Sequence, residues 1–113
     1  MSRSFAENLA RLPLVDHIEQ LELRGEAGQP IATIENKPGS AGSMRVYVYL
    51  SGKWGEINPQ AAEEGLALYA EHAEDARLHP RKHPNIDRLL ECVAEGTRYT
   101  VRQVPQRRAL GEN

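Results

Sequence analysis

One cysteine, one phenylalanine and one tryptophan in 113 residues set the first limits on this chain. A lone Cys92 cannot form an internal disulfide, which fits a reducing compartment. With four tyrosines completing the aromatic set, the core must be built mainly from aliphatic side chains. No apolar run approaches the roughly 20 residues that span a bilayer, and the first residues lack the basic-then-apolar pattern of an export signal. A cytoplasmic location is therefore expected, with no membrane association. Neither phosphate-loop spacing, G-x-x-x-x-G-K-[ST] or G-x-G-x-x-G, occurs, and no serine sits in a strand-to-helix elbow with a base at hand. The chain carries no recognised catalytic signature, and no cofactor is expected.

What is present is strong helix punctuation between Ile57 and Gly96. Asn58 followed by Pro59 forms a good helix start, because Asn58 can accept from unpaired first-turn amides and Pro59 loses nothing by lacking an N–H there. Ala62, Leu66, Tyr69, Ala73 and Ala76 recur at helical steps and predict one inward face on a helix over 59–78. Glu63, Glu64, Glu71, Glu74 and Asp75 are expected to face water. Pro80 ends the helix, and His79 to Asn85 forms a stiff basic connector. A second helix over 84–95 carries Ile86, Leu89, Leu90, Val93 and Ala94 on one side and stops at Gly96.

Ser4 with Glu7 has capping-box spacing and predicts a short helix from Ser4 to Arg11. Strands are expected near 17–24, 29–35, 44–51 and 97–104. The first two are joined by the turn Gly25 to Gly28, with a bulge suggested by the spacing of Ile31 and Ile34. Met44 to Leu50 is rich in β-branched and aromatic residues and reads as a strand. A rival helix from Ser43 to Lys53 would place Tyr47, Leu50 and Trp54 on one side. The expected fold is α+β: a small antiparallel sheet of about four strands, packed on one face by two helices, plus the short N-terminal helix. Residues 1–104 make one domain, and 105–113 form a disordered tail.

Three stretches offer places for chemistry. His79, Arg81, Lys82, His83 and Arg88 form a basic set on and beyond the connector that suits an acidic protein partner, or a second copy in a homodimer. Residues 1–76 carry 6 Lys/Arg against 12 Asp/Glu, while residues 77–113 carry 8 against 4, so the chain is acidic first and basic last. Nucleic acid is disfavoured, since no aromatics interleave with the basic residues. Lys37, Gly39, Ser40, Gly42 and Ser43 lie in a loop whose free amides could form an anion nest, although a plain connector would read the same way.

The third candidate is the set His72, His79 and His83, the basis for an alternative reading as a metal-assisted hydrolase. His79 and His83 have zinc-like spacing, yet prolines interrupt them, and each histidine also has a simple structural role at a helix end. That spacing alone assigns no metal site. Asp16 beside His17 is the kind of pair a general base needs, and Cys92 reads as a buried apolar residue.

The runs Ile34 to Gly39, Ile57 to His72 and His83 to Leu90 resemble a family of short bacterial proteins of unknown function. The resemblance implies a bacterial cytoplasmic origin and no particular mechanism. The function expected is a non-catalytic interaction or regulatory module that works through its basic connector.

Overall fold

The structure, a computed structural model, describes residues 3–106. Five helices and three strands follow in the order α1 (Phe5–Leu9), β1 (Ile18–Arg24), β2 (Pro30–Glu35), α2 (Ala41–Trp54), α3 (Pro59–Tyr69), α4 (Glu71–Leu78), α5 (Pro84–Glu95) and β3 (Thr100–Pro105). The α+β class is as expected. The details differ in several places.

The sheet has three antiparallel strands in the order β2-β1-β3, not four. Residues 44–51 belong to α2, the rival helix. Their β-branched and aromatic content is overridden because Met44, Val46, Tyr47 and Leu50 are all fully buried at helical spacing. This helix is the one that meets the sheet, touching β2 and β3, and α3 packs against it with α5 beyond.

Along β1 the pairing shows why only one face is apolar. Leu21 pairs with Ile34, all but inaccessible, whereas Glu22 on the opposite face pairs with Thr33 and Arg102. Arg102 Nη1 donates to Glu22 Oε1 at 2.9 Å across that outer face. The suggested bulge exists between Leu23 and Arg24 against β2, and it turns Ile31 outward, 42 % exposed, so Ile31 leaves the expected core. The last strand returns beside the hairpin, on β1. It includes Pro105, and the Gln106 N–H donates to His17 O at 2.9 Å, so those two residues continue the ordered sheet; the rest of the expected tail, 107–113, lies outside the described residues.

The expected helix over 59–78 is two helices. Ala70 breaks it with φ 54° and ψ −119°, although no glycine or proline marks the spot. The alanine-stepped face survives the break: Ala62, Leu66, Tyr69, Ala73 and Ala76 are all buried. Asn58 caps α3 as expected, its side chain accepting from the Ala61 N–H at 2.8 Å. Ser4 and Glu7 form the complete capping box on α1.

On α5 the buried face is rotated from the expected one. Ile86, Leu89 and Cys92 are buried, while Val93 and Ala94 are exposed. Gly96 closes α5 in the left-handed conformation.

Tyr47 ties α2 to α5 inside the core. Its hydroxyl donates to Asn85 O at 2.6 Å and accepts from Arg88 Nη1 at 3.0 Å. Burial pushes the Tyr47 phenol up to about 12 despite the nearby Arg88 guanidinium. No helix among the described residues is long and apolar enough to cross a membrane.

Candidate functional site

The connector between α4 and α5 is built around a carboxylate that was expected to face water. Asp75 accepts from His83 Nε2 at 2.6 Å and pairs with Lys82 Nζ at 3.0 Å, while His79 Nε2 stands 3.8 Å from its other oxygen. The hydrogen bonds from His83 and then Lys82 hold the Asp75 carboxyl at about 2, below its ordinary 3.8. A carboxylate ionised at any ordinary pH can only accept, so the His83 Nε2 must carry the proton and its Nδ1 is the free ring nitrogen. Asp75 at one helix end thus gathers three connector residues.

Arg81 takes an unusual backbone conformation within that turn. Its φ is 78°, a left-handed value rarely adopted by side chains of this kind, and its N–H donates to Asp87 Oδ2 at 2.9 Å. The side chain is exposed and makes no ion pair among the described residues. Arg88 lines the outward groove with Arg81, but its guanidinium is turned toward Tyr47 and also donates to Asn85 Oδ1 at 2.9 Å. Of the five basic residues named from the sequence, four sit on the connector and Arg88 instead braces the core.

The connector has two sides. Outward, Arg77, Arg81, Pro80 and Pro84 border an open groove of about 760 Å³ with Ile31, Leu90 and Tyr99. Inward, Lys82, His83 and Ile86 close a second cavity, about 430 Å³, whose opposite walls are Phe5 and Leu9 of α1, Ser43 of α2, and Tyr69 with His72. Phe5 stacks on Tyr69 at 5.2 Å between ring centroids and meets His72 edge-on at 5.0 Å. The Tyr69 hydroxyl and Ser43 Oγ are hydrogen-bonded at 2.6 Å, and burial pushes the Tyr69 phenol upward.

The loop from Lys37 to Ser43 is only partly the open nest its composition suggested. Lys37 Nζ pairs with Glu35 Oε1 at 2.8 Å, and Ser40 Oγ donates to Glu35 O at 2.6 Å. Gly42 and Ser43 are the first turn of α2 rather than loop. A Cβ at Gly42 would stand 3.3 Å from Phe5 Cζ, so this glycine admits α1. Gly39, Gly42 and Ser43 nevertheless line the same cavity as Lys82 and His83. Two stretches singled out separately in the sequence thus meet at one place.

The histidine set is not arranged as a metal site. Among the described residues no group of three or more His, Cys, Asp or Glu side chains could hold a metal ion. His79 and His83 do converge on Asp75, but Lys82 already occupies the oxygen nearest His83. His72 turns toward Phe5, its ring centroid 5.9 Å from that of His83. Asp16 and His17 are both exposed and make no hydrogen bond to each other. Cys92 is buried as expected, its thiol donating to Thr97 O at 3.0 Å, and burial raises its pKa.

Sequence reasoning missed the organising acid. Asp75 precedes His79 by one helical turn, an i, i+4 spacing legible in the chain, but its bond to His83 requires the connector to double back. It also missed Glu64, on which Tyr49, Trp54 and Lys53 converge at 2.7, 2.9 and 3.1 Å. Burial opposes ionisation of Glu64, yet those three donors together hold its carboxyl below the usual range.

No curated protein and no solved structure matches the chain. A family model does match, over residues 5–103, and it spans all the runs that resemble short bacterial proteins. The chain belongs to that family, DUF2322, described as an uncharacterized protein conserved in bacteria.

Proposed function

We propose that the protein is a non-catalytic interaction module that holds an acidic segment of a partner protein on the outward side of its connector. The observation that carries this reading is Arg81. A non-glycine residue is kept at φ 78°, its amide tied to Asp87, while its side chain stays exposed beside an apolar groove. Strain of this kind persists only where surrounding contacts impose it, and such residues cluster at functional surfaces. The backbone that carries this cation is therefore already ordered, which lowers the entropic cost of binding.

The groove supports a partner with both charge and apolar side chains. Ile31, Leu90 and the connector prolines give it an apolar floor, and Arg77 and Arg81 stand at one side. Arg77 is paired with Glu74 at 3.0 Å, but both side chains are largely exposed, so an incoming carboxylate can exchange with that pair. Arg88, Asp87, Glu91 and Glu95 line the groove as well. The three acids would set the direction in which an acidic segment lies, its carboxylates toward the arginines.

The test is fluorescence anisotropy with a labelled peptide of alternating glutamate and leucine. Binding at low ionic strength should weaken about tenfold or more in the double variant Arg77→Glu/Arg81→Glu, and should also weaken as salt is raised. A wild-type protein that leaves the peptide unbound at low salt would defeat the proposal.

A further inference from the structure

The inward cavity is independent of the groove, and its chemistry differs. Acidic residues outnumber basic ones in the chain, 16 to 14, and acids line the outward groove. Among the described residues no acid lines the inward cavity, whose basic walls are Lys82, His72 and His83. The rest of its surface is apolar or hydroxylic apart from Asn85. We propose that this cavity binds a small organic anion, with the charged head between Lys82 and Ser43 and an apolar body against Phe5, Leu9 and Ile86.

The walls are assembled before any ligand arrives. Phe5 is fixed from three directions: stacked on Tyr69, edge-on to His72, and with its N–H donating to Glu71 Oε1 at 2.9 Å. Glu71 is thereby engaged at the rim rather than inside. Asp75, the other nearby acid, faces Lys82 and His83 from behind and orients both without lining the space. The Asp75 bonds engage the His83 proton on Nε2 and leave the remaining Lys82 protons to donate to a guest.

Size and donors agree with the same class of guest. About 430 Å³ falls in the lower part of the range of small-molecule sites, roughly 300 to 1,000 Å³, and suits a body of about one ring. The Gly42 and Ser43 amides have no backbone acceptor among the described residues, and they add donors to a cavity already formed by side chains. A cationic guest would meet no carboxylate among the described residues that line the cavity.

Nuclear magnetic resonance of the full chain, uniformly labelled with nitrogen-15, tests this. The probes are benzoate, phenyl phosphate, inorganic phosphate and benzyl alcohol. Benzoate or phenyl phosphate should shift the Gly42, Ser43, His83 and Asn85 amides saturably, and the tighter of the two identifies the preferred head group. Lys82→Met, whose spectrum reports whether the fold is intact, should weaken that binding about tenfold or more. Phe5→Ala should weaken it as well while leaving any response to inorganic phosphate unchanged. Three results would overturn the proposal: no saturable shift with either aromatic anion, equal binding of benzyl alcohol, or inorganic phosphate binding as tightly as phenyl phosphate.

Discussion

Asp75 on α4 and His83 at the start of α5 are joined by a 2.6 Å hydrogen bond that closes the connector into a loop. The Asp75 carboxyl titrates at about 2 in the folded chain, against an ordinary value of 3.8, so the folded state binds its proton less readily than the unfolded state does. The resulting stabilisation is complete above the unfolded value and is lost as pH falls from about 4 toward about 2. Urea midpoints measured across that window should fall more steeply for the wild type than for Asp75→Asn. Variant and wild type falling in parallel would mean that the Asp75 to His83 link contributes nothing to folding. At neutral pH, Asp75→Asn should also make the connector easier to cleave by protease after Arg81 or Lys82.

Tyr47 makes the alkaline counterpart. Its phenol is raised to about 12, and a proton held more tightly in the folded state makes stability full below about pH 10 and progressively lost between there and about 12. Tyr47→Phe should remove part of that alkaline loss and leave the part due to Tyr69, whose phenol is also raised. At neutral pH the same variant removes the donor to Asn85 O and one of the two acceptors of Arg88, which keeps Asn85 Oδ1, in a partly buried setting, at a cost of about 1–3 kcal/mol. Chemical denaturation at neutral and alkaline pH checks both signs.

These two ties show why some of the structure could be read from the chain and some could not. Local signals held wherever the physics was local. The Ser4 capping box, the Asn58-Pro59 start and the Gly96 stop each depend on a few neighbouring residues, and each is found as expected. Residues 44–51 went the other way, because burial of Met44, Val46 and Tyr47 against distant elements outweighed their strand preference. The connector was identified as a basic element, and Lys82 and His83 do meet Gly42 and Ser43. Asp75 as its centre was hidden, since the bond to His83 depends on a left-handed turn at Arg81 that no glycine announces.

Gly65 offers a test of how closely α2, α3 and α5 approach. A Cβ placed there would lie 2.8 Å from Leu50 Cδ1 and 2.8 Å from Leu89 Cδ1, both in fully buried side chains with little room to move. Replacing a mid-helix glycine by alanine ordinarily stabilises by about 1 kcal/mol. Overpacking of about 1–3 kcal/mol should outweigh that gain, so Gly65→Ala is expected to lower the urea midpoint. A higher midpoint would show that the three helices are further apart than described.

Glu64 makes a prediction readable by fluorescence, because its carboxylate holds the only tryptophan of the chain. Trp54 Nε1 donates to Glu64 Oε1 at 2.9 Å, and Lys53 Nζ lies 5.6 Å from the Trp54 ring centroid. Glu64→Ala removes the acceptor shared by Trp54, Tyr49 and Lys53. The indole, already 38 % exposed, should then loosen into water, giving a red-shifted emission and faster quenching by iodide. An unchanged spectrum would show that packing alone positions Trp54.

The break at Ala70 yields the opposite kind of prediction, a stabilising change. Its φ of 54° with ψ of −119° is a conformation that glycine adopts freely and a residue with a Cβ resists. The break is nevertheless held, because Tyr69 before it reaches Ser43 and Glu71 after it accepts the Phe5 N–H. Straightening α3 into α4 would cost both contacts. Ala70→Gly relieves the backbone strain, worth about 1–3 kcal/mol, and gives back part of it through the greater freedom of an unfolded glycine. The net effect should raise the urea midpoint while leaving the hydrogen-exchange protection of both helices intact. A lowered midpoint would mean that residues 59–78 form one continuous helix in solution, which would take Phe5 and Tyr69 out of register and open the cavity they wall.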